Sequence, residues 1–214
     1  MSTTDGAKSA KDGFAAVEAA LEFGGKLFDS ADDFNTALDH VARLLEDAVT
    51  LFGLSSFGSA AFLAITALEE TGKANVGTYR RDKPAGPSKG RDPLRDHKAK
   101  HSMAVLPTVF MTDRIVSALG QDRADALRQE AHSTGFTTVR EAALYCARTP
   151  SGFISPKNAI AALRAWELIV LAIEAADDAL VGMTNHSFEV GKRFDELFAR
   201  MVSERPAADS QTGC

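Results

Sequence analysis

Two arginines and two histidines stand in overlapping register in Arg91-Asp92-Pro93-Leu94-Arg95-Asp96-His97-Lys98-Ala99-Lys100-His101. Five residues separate Arg91 from His97, five separate Arg95 from His101, and an Asp follows each Arg. Imidazole moves a proton near neutral pH, and guanidinium is a fixed cation that holds a phosphate as charge builds on it. Together they meet the needs of RNA cleavage without a metal, in which the ribose 2′-hydroxyl attacks the adjacent phosphate; DNA has no such hydroxyl. Neither register is preferred on spacing. On a regular helix an Arg six positions before a His projects about 120° away from it. Arg91 escapes that objection because it precedes Pro93.

The surrounding charge suits the same substrate. From Lys73 to His101 there are nine Lys or Arg against three Asp, a net +6, whereas the whole chain is −5 and the remainder therefore −11. A concentrated positive field on an acidic protein attracts polyanions and speeds their encounter. Lys98, Lys100, Arg80 and Arg81 are the candidate backbone-binding residues. Charge and spacing alone are met at least as well by a solvated cationic helix face. A zinc helix is disfavoured: His97 and His101 are four apart, but Lys98 and Lys100 lie between them and no Glu base adjoins His97. No cofactor is expected.

A second cluster is Leu68-Glu69-Glu70-Thr71-Gly72-Lys73. Glu69 with Lys73 and Glu70 with Lys73 have the spacing of helix-surface ion pairs, worth a few tenths of a kcal/mol. The alternative is that one carboxylate reaches the Arg/His segment and orients a catalytic group.

The elements that position these residues read as helices almost throughout. The expected fold is an all-α antiparallel helical bundle with a short irregular connector before the last long helices. A first helix is expected from about Phe14 to Phe28. Ser30-Ala-Asp-Asp33 has the form of a capping box and should open a second, whose Phe34, Leu38, Val41, Leu45, Ala48 and Phe52 recur on one face. Ser55-Ser56 can cap a third, continuing toward Tyr79 on small residues suited to close packing. The Pro- and Gly-rich stretch from Asp82 to Gly90 reads as a flexible basic loop. Asp92 as cap and Pro93 at the first position should begin a fourth helix, running to about Leu119 with a kink at Pro107. Ala99, Met103, Leu106 and Phe110 would form its core stripe, leaving His97 and His101 roughly opposite, toward a cleft, solvent or a second subunit. Gln121 to Gly135 reads as a short helix, and Val139 to Ala147 is ambiguous. Pro150 to Pro156 is a turn-rich connector, Ser155-Pro156 should start a long helix through Leu180, and Phe188 to Met201 forms the last. Residues 1–12 and 204–214 are expected to be flexible, flanking one domain over 13–203.

The polar start has no apolar segment behind it, and the longest apolar runs are far shorter than the roughly 18 residues that cross a bilayer. Cys146 and Cys214 make no disulfide framework. A cytoplasmic protein with no membrane partner is expected.

Ala64-Ile-Thr-Ala-Leu-Glu-Glu-Thr-Gly-Lys-Ala74, then the basic loop, Arg95-Asp-His-Lys-Ala-Lys100 and later Arg140-Glu-Ala-Ala-Leu-Tyr145 resemble, in order and spacing, the AbiV-type abortive-infection proteins of the HEPN superfamily. The resemblance spans approximately Phe34 to Leu180. It implies a cytoplasmic helical bundle, commonly dimeric, that defends bacteria against phage, with RNA and a phage protein, as trigger or inhibitor, as partners. The superfamily motif of Arg, a polar residue and a His a few positions on falls on Arg91-Asp92 with His97, or on Arg95-Asp96 with His101. By the resemblance His97 is favoured, because it belongs to His97-Lys-x-Lys100. Some members cleave RNA, whereas AbiV-type proteins are associated with blocking translation after engaging a phage product. Tyr145 also fits the family and is read as a buried packing residue.

Overall fold

The computed structural model describes residues 3–82, 90–106, 113–150 and 152–207, and side chains from residue 11 onward. The order of elements is α1 Thr3–Phe23, α2 Ala31–Gly53, α3 Phe57–Tyr79, a 3-10 turn Pro93–Arg95, α4 His97–Ala104, α5 Asp113–Leu119, α6 Gln121–His132, α7 Gly135–Leu144, β1 Ala147–Thr149, β2 Gly152–Ile154, α8 Pro156–Ala159, α9 Ala162–Leu180 and α10 Asn185–Ser203. It is an all-α bundle with, among the described residues, one two-stranded hairpin, in which Ala147 pairs with Ile154 and Thr149 with Gly152.

Helix α2 begins where its side chains dictate. Ser30 Oγ accepts from Asp33 N, and the Asp33 carboxylate accepts from Ser30 N, satisfying two of the donors that a helix start leaves open. The whole apolar stripe from Phe34 to Phe52 is buried. It packs on α3 and α9 around one core that includes Trp166, Ile169, Ile173 and Phe194. Trp166 satisfies its one donor, Nε1–H, on the Met201 carbonyl at 2.5 Å. Helix α3 is central, with Ala60, Ala61, Ala64, Ala67 and Leu68 all buried.

Small residues let α4 lie close against α3. A Cβ built on Gly72 would stand 2.6 Å from the Lys100 carbonyl oxygen and 3.0 Å from Ala104 N, both backbone atoms that cannot yield independently. Gly72→Ala is therefore expected to destabilise the fold by about 1–3 kcal/mol, the range for overpacking. The urea midpoint of the variant measures this, and an unchanged midpoint would show that the two helices are not in contact here.

Several boundaries differ from the sequence reading. Helix α1 starts at Thr3 and stops at Phe23, before Gly24 and Gly25, whose φ of 77° and 78° turn the chain out of the helix. Ser56 stands at the α3 N-cap, but its side chain makes no capping bond. Asp92 caps as expected, accepting from Leu94 N, yet only a single 3-10 turn follows, because Asp96 accepts from Ala99 N and starts α4 afresh. That helix ends at Ala104 instead of continuing to Leu119. Pro107 and Phe110 lie outside the described residues, as does the basic loop from Lys83 to Lys89.

The ambiguous stretch resolves into the end of α7 and a strand. The long helix expected from Pro156 is broken at Ile160, which is extended (φ −118°, ψ 116°) and buried, so α9 begins at Ala162. Beyond α10, Arg205 donates to the Ala118 carbonyl at 2.9 Å and its guanidinium lies 5.1 Å from the Trp166 ring, which pins the chain there. Among the described residues no helix is long and apolar enough to cross a membrane.

Candidate functional site

Helix α3 presents Phe62 and Glu69, seven residues apart, on one face, and α4 and α7 close over that face. Glu69 is 3% exposed, a cost that a carboxylate meets only with donors around it. Four side chains gather there. His97 Nδ1 is 2.8 Å and Lys100 Nζ 2.7 Å from Oε2, His101 Nε2 is 3.0 Å from Oε1, and Arg140 Nε lies 3.8 Å from Oε1. Burial alone would push the Glu69 carboxyl up. The bonds from His101 and Lys100, the Lys100 charge and the His97 bond outweigh it and hold the pKa down at about 2.

This carboxylate sets the proton positions on both rings. An ionised carboxylate only accepts, so His97 donates through Nδ1–H and keeps Nε2 available, while His101 donates through Nε2–H. The two rings then differ in access. The His97 side chain is 43% exposed, whereas His101 is fully buried, edge-on to Phe136 at 5.6 Å, with Nδ1 unpartnered. His97 thus forms an imidazole–carboxylate dyad with an accessible second nitrogen, an arrangement that can orient an imidazole for proton transfer. His101 is a buried strut between α4 and α3. That corrects the expectation that both histidines lie opposite the core stripe: α4 is packed against α1 through Met103 and Ala99 and against α3 through Lys100, His101 and Ala104.

The other candidates separate in the same way. Lys100 is buried in its pair with Glu69, so it is not a free surface cation. Arg80 is also buried, donating to the Gly24 carbonyl and, at 3.1 Å, to Asp92; it ties the end of α3 to the α1–α2 turn and the 3-10 turn. Arg81 is exposed and donates to the Thr78 and Arg80 carbonyls. Lys98, Arg91 and Arg95 are exposed. Among the described residues none of the three side chains has a hydrogen bond or ion pair; the Arg95 backbone N–H donates to the Asp92 carbonyl. Glu70 and Lys73 form the helix-surface pair at 2.8 Å, while Glu69 is not bonded to Lys73; of the two acids it is the one that reaches α4.

Arg140 is the residue that spacing did not find. It stacks over the Phe62 ring at 5.0 Å and brings a guanidinium to Glu69 from α7. Its signal was its place in Arg140-Glu-Ala-Ala-Leu-Tyr145, but no local pattern links that segment to residue 69. Tyr145, expected to be buried, is 61% exposed, because α7 ends at Leu144 and the chain turns outward into the hairpin. Cys146 is exposed too. His186 is bonded to Asp39 at 2.8 Å. Among the described residues no group of three or more His, Cys, Asp or Glu side chains is arranged to hold a metal ion. At Glu69 the reason is physical: an ammonium sits 2.7 Å from Oε2, where a ligand oxygen would face its metal.

A helical bundle whose central helix holds a buried carboxylate against a His-Lys-x-Lys helix start is consistent with a HEPN-type domain. A family model described as HEPN_AbiV, AbiV, matches residues 31–176, and the chain belongs to that family. No curated protein and no solved structure shows a match.

Proposed function

We propose that the protein is a cytoplasmic antiphage abortive-infection effector that cleaves RNA without a metal and acts as a homodimer. The observation that carries this reading is the 2.8 Å bond from His97 Nδ1 to Glu69, which leaves Nε2 of an accessible imidazole as base. His97 Nε2 takes the proton of the ribose 2′-hydroxyl, the 2′ oxygen forms its bond to phosphorus, and the bond from phosphorus to the 5′ oxygen breaks. The imidazolium of the second protomer's equivalent site protonates the leaving oxygen. The products are a 2′,3′-cyclic phosphate and a 5′-hydroxyl. Arg91 and Arg95 neutralise the phosphate as charge accumulates, and Lys98 holds the flanking backbone. A phage product serves as trigger or inhibitor.

The test is incubation of total RNA with the purified protein in EDTA, followed by mapping of the ends. Cyclic phosphate ends are expected, and intact RNA would reject the reading. A second reading, growth arrest by occupancy of an acidic phage protein or ribosomal component, is favoured by the burial of His101 and Lys100 in a network that also holds α4 to α3. It requires that His97→Ala still arrest growth while Lys98→Glu does not.

A further inference from the structure

A cleft of about 600 Å³ opens between the turn after α1, the end of α3 and the 3-10 turn; neither His97 nor Glu69 lines it, while Arg95 and Lys100 do. Five cations line it, Lys26, Lys73, Arg80, Arg95 and Lys100, and Asp92 is the single acid among its lining residues. The partner acids of Lys26, Lys73 and Lys100, which are Asp29, Glu70 and Glu69, are not part of the lining, so cationic donors face the cleft while much of their charge is offset from behind; Arg95 is the lining cation with no acid partner among the described residues.

The wall is built, not merely decorated with surface lysines. Arg80 is 4% exposed, fixed by the Gly24 carbonyl and Asp92, and its Nε is buried with no hydrogen-bond partner. Lys100 is 7% exposed and held by Glu69. Gly24 and Gly25, both at φ values that disfavour other residues, make the turn that delivers Lys26 to the cleft from outside the basic segment. Phe23, Leu27 and Leu94 add an apolar side. The size falls within the roughly 300–1,000 Å³ of small-molecule sites, and an apolar wall with a few convergent charged groups is their usual composition.

We infer that this cleft binds a terminal phosphate or polyphosphate of nucleotide size. The unpaired Arg95, the unpartnered Arg80 Nε and the lysine donors around them match the oxygens of a phosphate group, and the apolar side accommodates the body attached to it. Lys100 joins the cleft to the dyad, since the side chain that lines one is bonded to the carboxylate of the other. An occupant that attracts its ammonium draws it from Glu69 Oε2, which His97 shares.

Calorimetric titration of the full chain at low salt tests this with ATP, inorganic pyrophosphate, and a hexauridylate carrying either a 5′-phosphate or a 5′-hydroxyl. ATP is expected to bind, pyrophosphate to compete with it, and Lys26→Gln combined with Arg95→Gln to weaken binding at least tenfold, with Lys157→Gln binding as wild type. Displacement of ATP by the phosphorylated hexamer but not the hydroxyl form assigns the site to RNA ends; displacement by neither assigns it to free nucleotides. Absence of binding at millimolar ATP, or equal binding by the double variant, overturns the inference. Should the double variant lose its helical circular dichroism, Arg95→Gln alone, at an exposed side chain, carries the same comparison. The readout is binding, so its failure leaves the cleavage reading standing, and loss of cleavage leaves this one standing.

Discussion

His97→Ala is expected to lower RNA cleavage by about 10²–10⁴-fold, the usual contribution of a positioned acid–base group, while leaving the melting temperature almost unchanged. The second half of that expectation separates a catalytic imidazole from a structural one. The His97 side chain is 43% exposed and gives Glu69 one of several donors; without it, Oε2 still accepts from Lys100 and Oε1 from His101. His101→Ala should behave in the opposite way, because it removes a fully buried ring packed on Phe136 and opens a cavity between α4 and α3. Cleavage rates beside thermal melts for the two variants give the comparison. Equal cutting by wild type and His97→Ala would remove His97 from the chemistry.

Glu69→Ala is expected to cost about 3–5 kcal/mol, the range for breaking a buried ionic network by deleting one partner. It strands Lys100 and the His101 Nε2–H in the interior without an acceptor. At this chain length such a loss lowers the melting midpoint by roughly 6–20 °C, measured by circular dichroism. The same carboxylate imposes an acid limit. Its pKa is about 2 in the folded protein against an ordinary 4.5, so the folded state binds this proton less readily than the unfolded one, and its stabilisation is complete above pH 4.5. Acidification from 4.5 to about 2 removes it progressively, a loss on the order of 3 kcal/mol. Asp33, whose carboxyl the Asp29 and Ser30 amides hold low, also loses its capping role on acidification, alike in wild type and variant. Urea midpoints of wild type and Glu69→Gln at a series of pH values isolate the Glu69 part, since the amide does not titrate. Parallel curves would mean that residue 69 is not an ionised hub.

The helices were legible where periodicity and caps agree. Ser30 and Asp33 signal α2 from local atoms alone, and the stripe from Phe34 to Phe52 needs no knowledge of its partner to be recognised as buried. Breaks were less legible. The stop at Ile160 trades local helical continuity for a buried side chain, a tertiary gain, whereas the restart at Asp96 rests on a second local cap that competes with continuing the first. The cluster Glu69, His97 and Lys100 could be named from composition and resemblance. Which members face solvent could not, because the expected outward face of α4 assumed a single packing partner, and this helix has α1 on one side and α3 on the other.

The chain alone determined an all-α bundle, a cationic segment on an acidic protein, and the residue types for proton transfer and phosphate binding, since period, caps and charge are properties of neighbours in sequence. Tertiary packing decided that Glu69 and not Glu70 meets α4, that Arg140 joins it from α7, and that His97 stays accessible while His101 is sealed. Burial of one carboxylate forces donors to converge on it from distant segments, and that requirement is set by the folded interior, where the charge is withdrawn from bulk solvent.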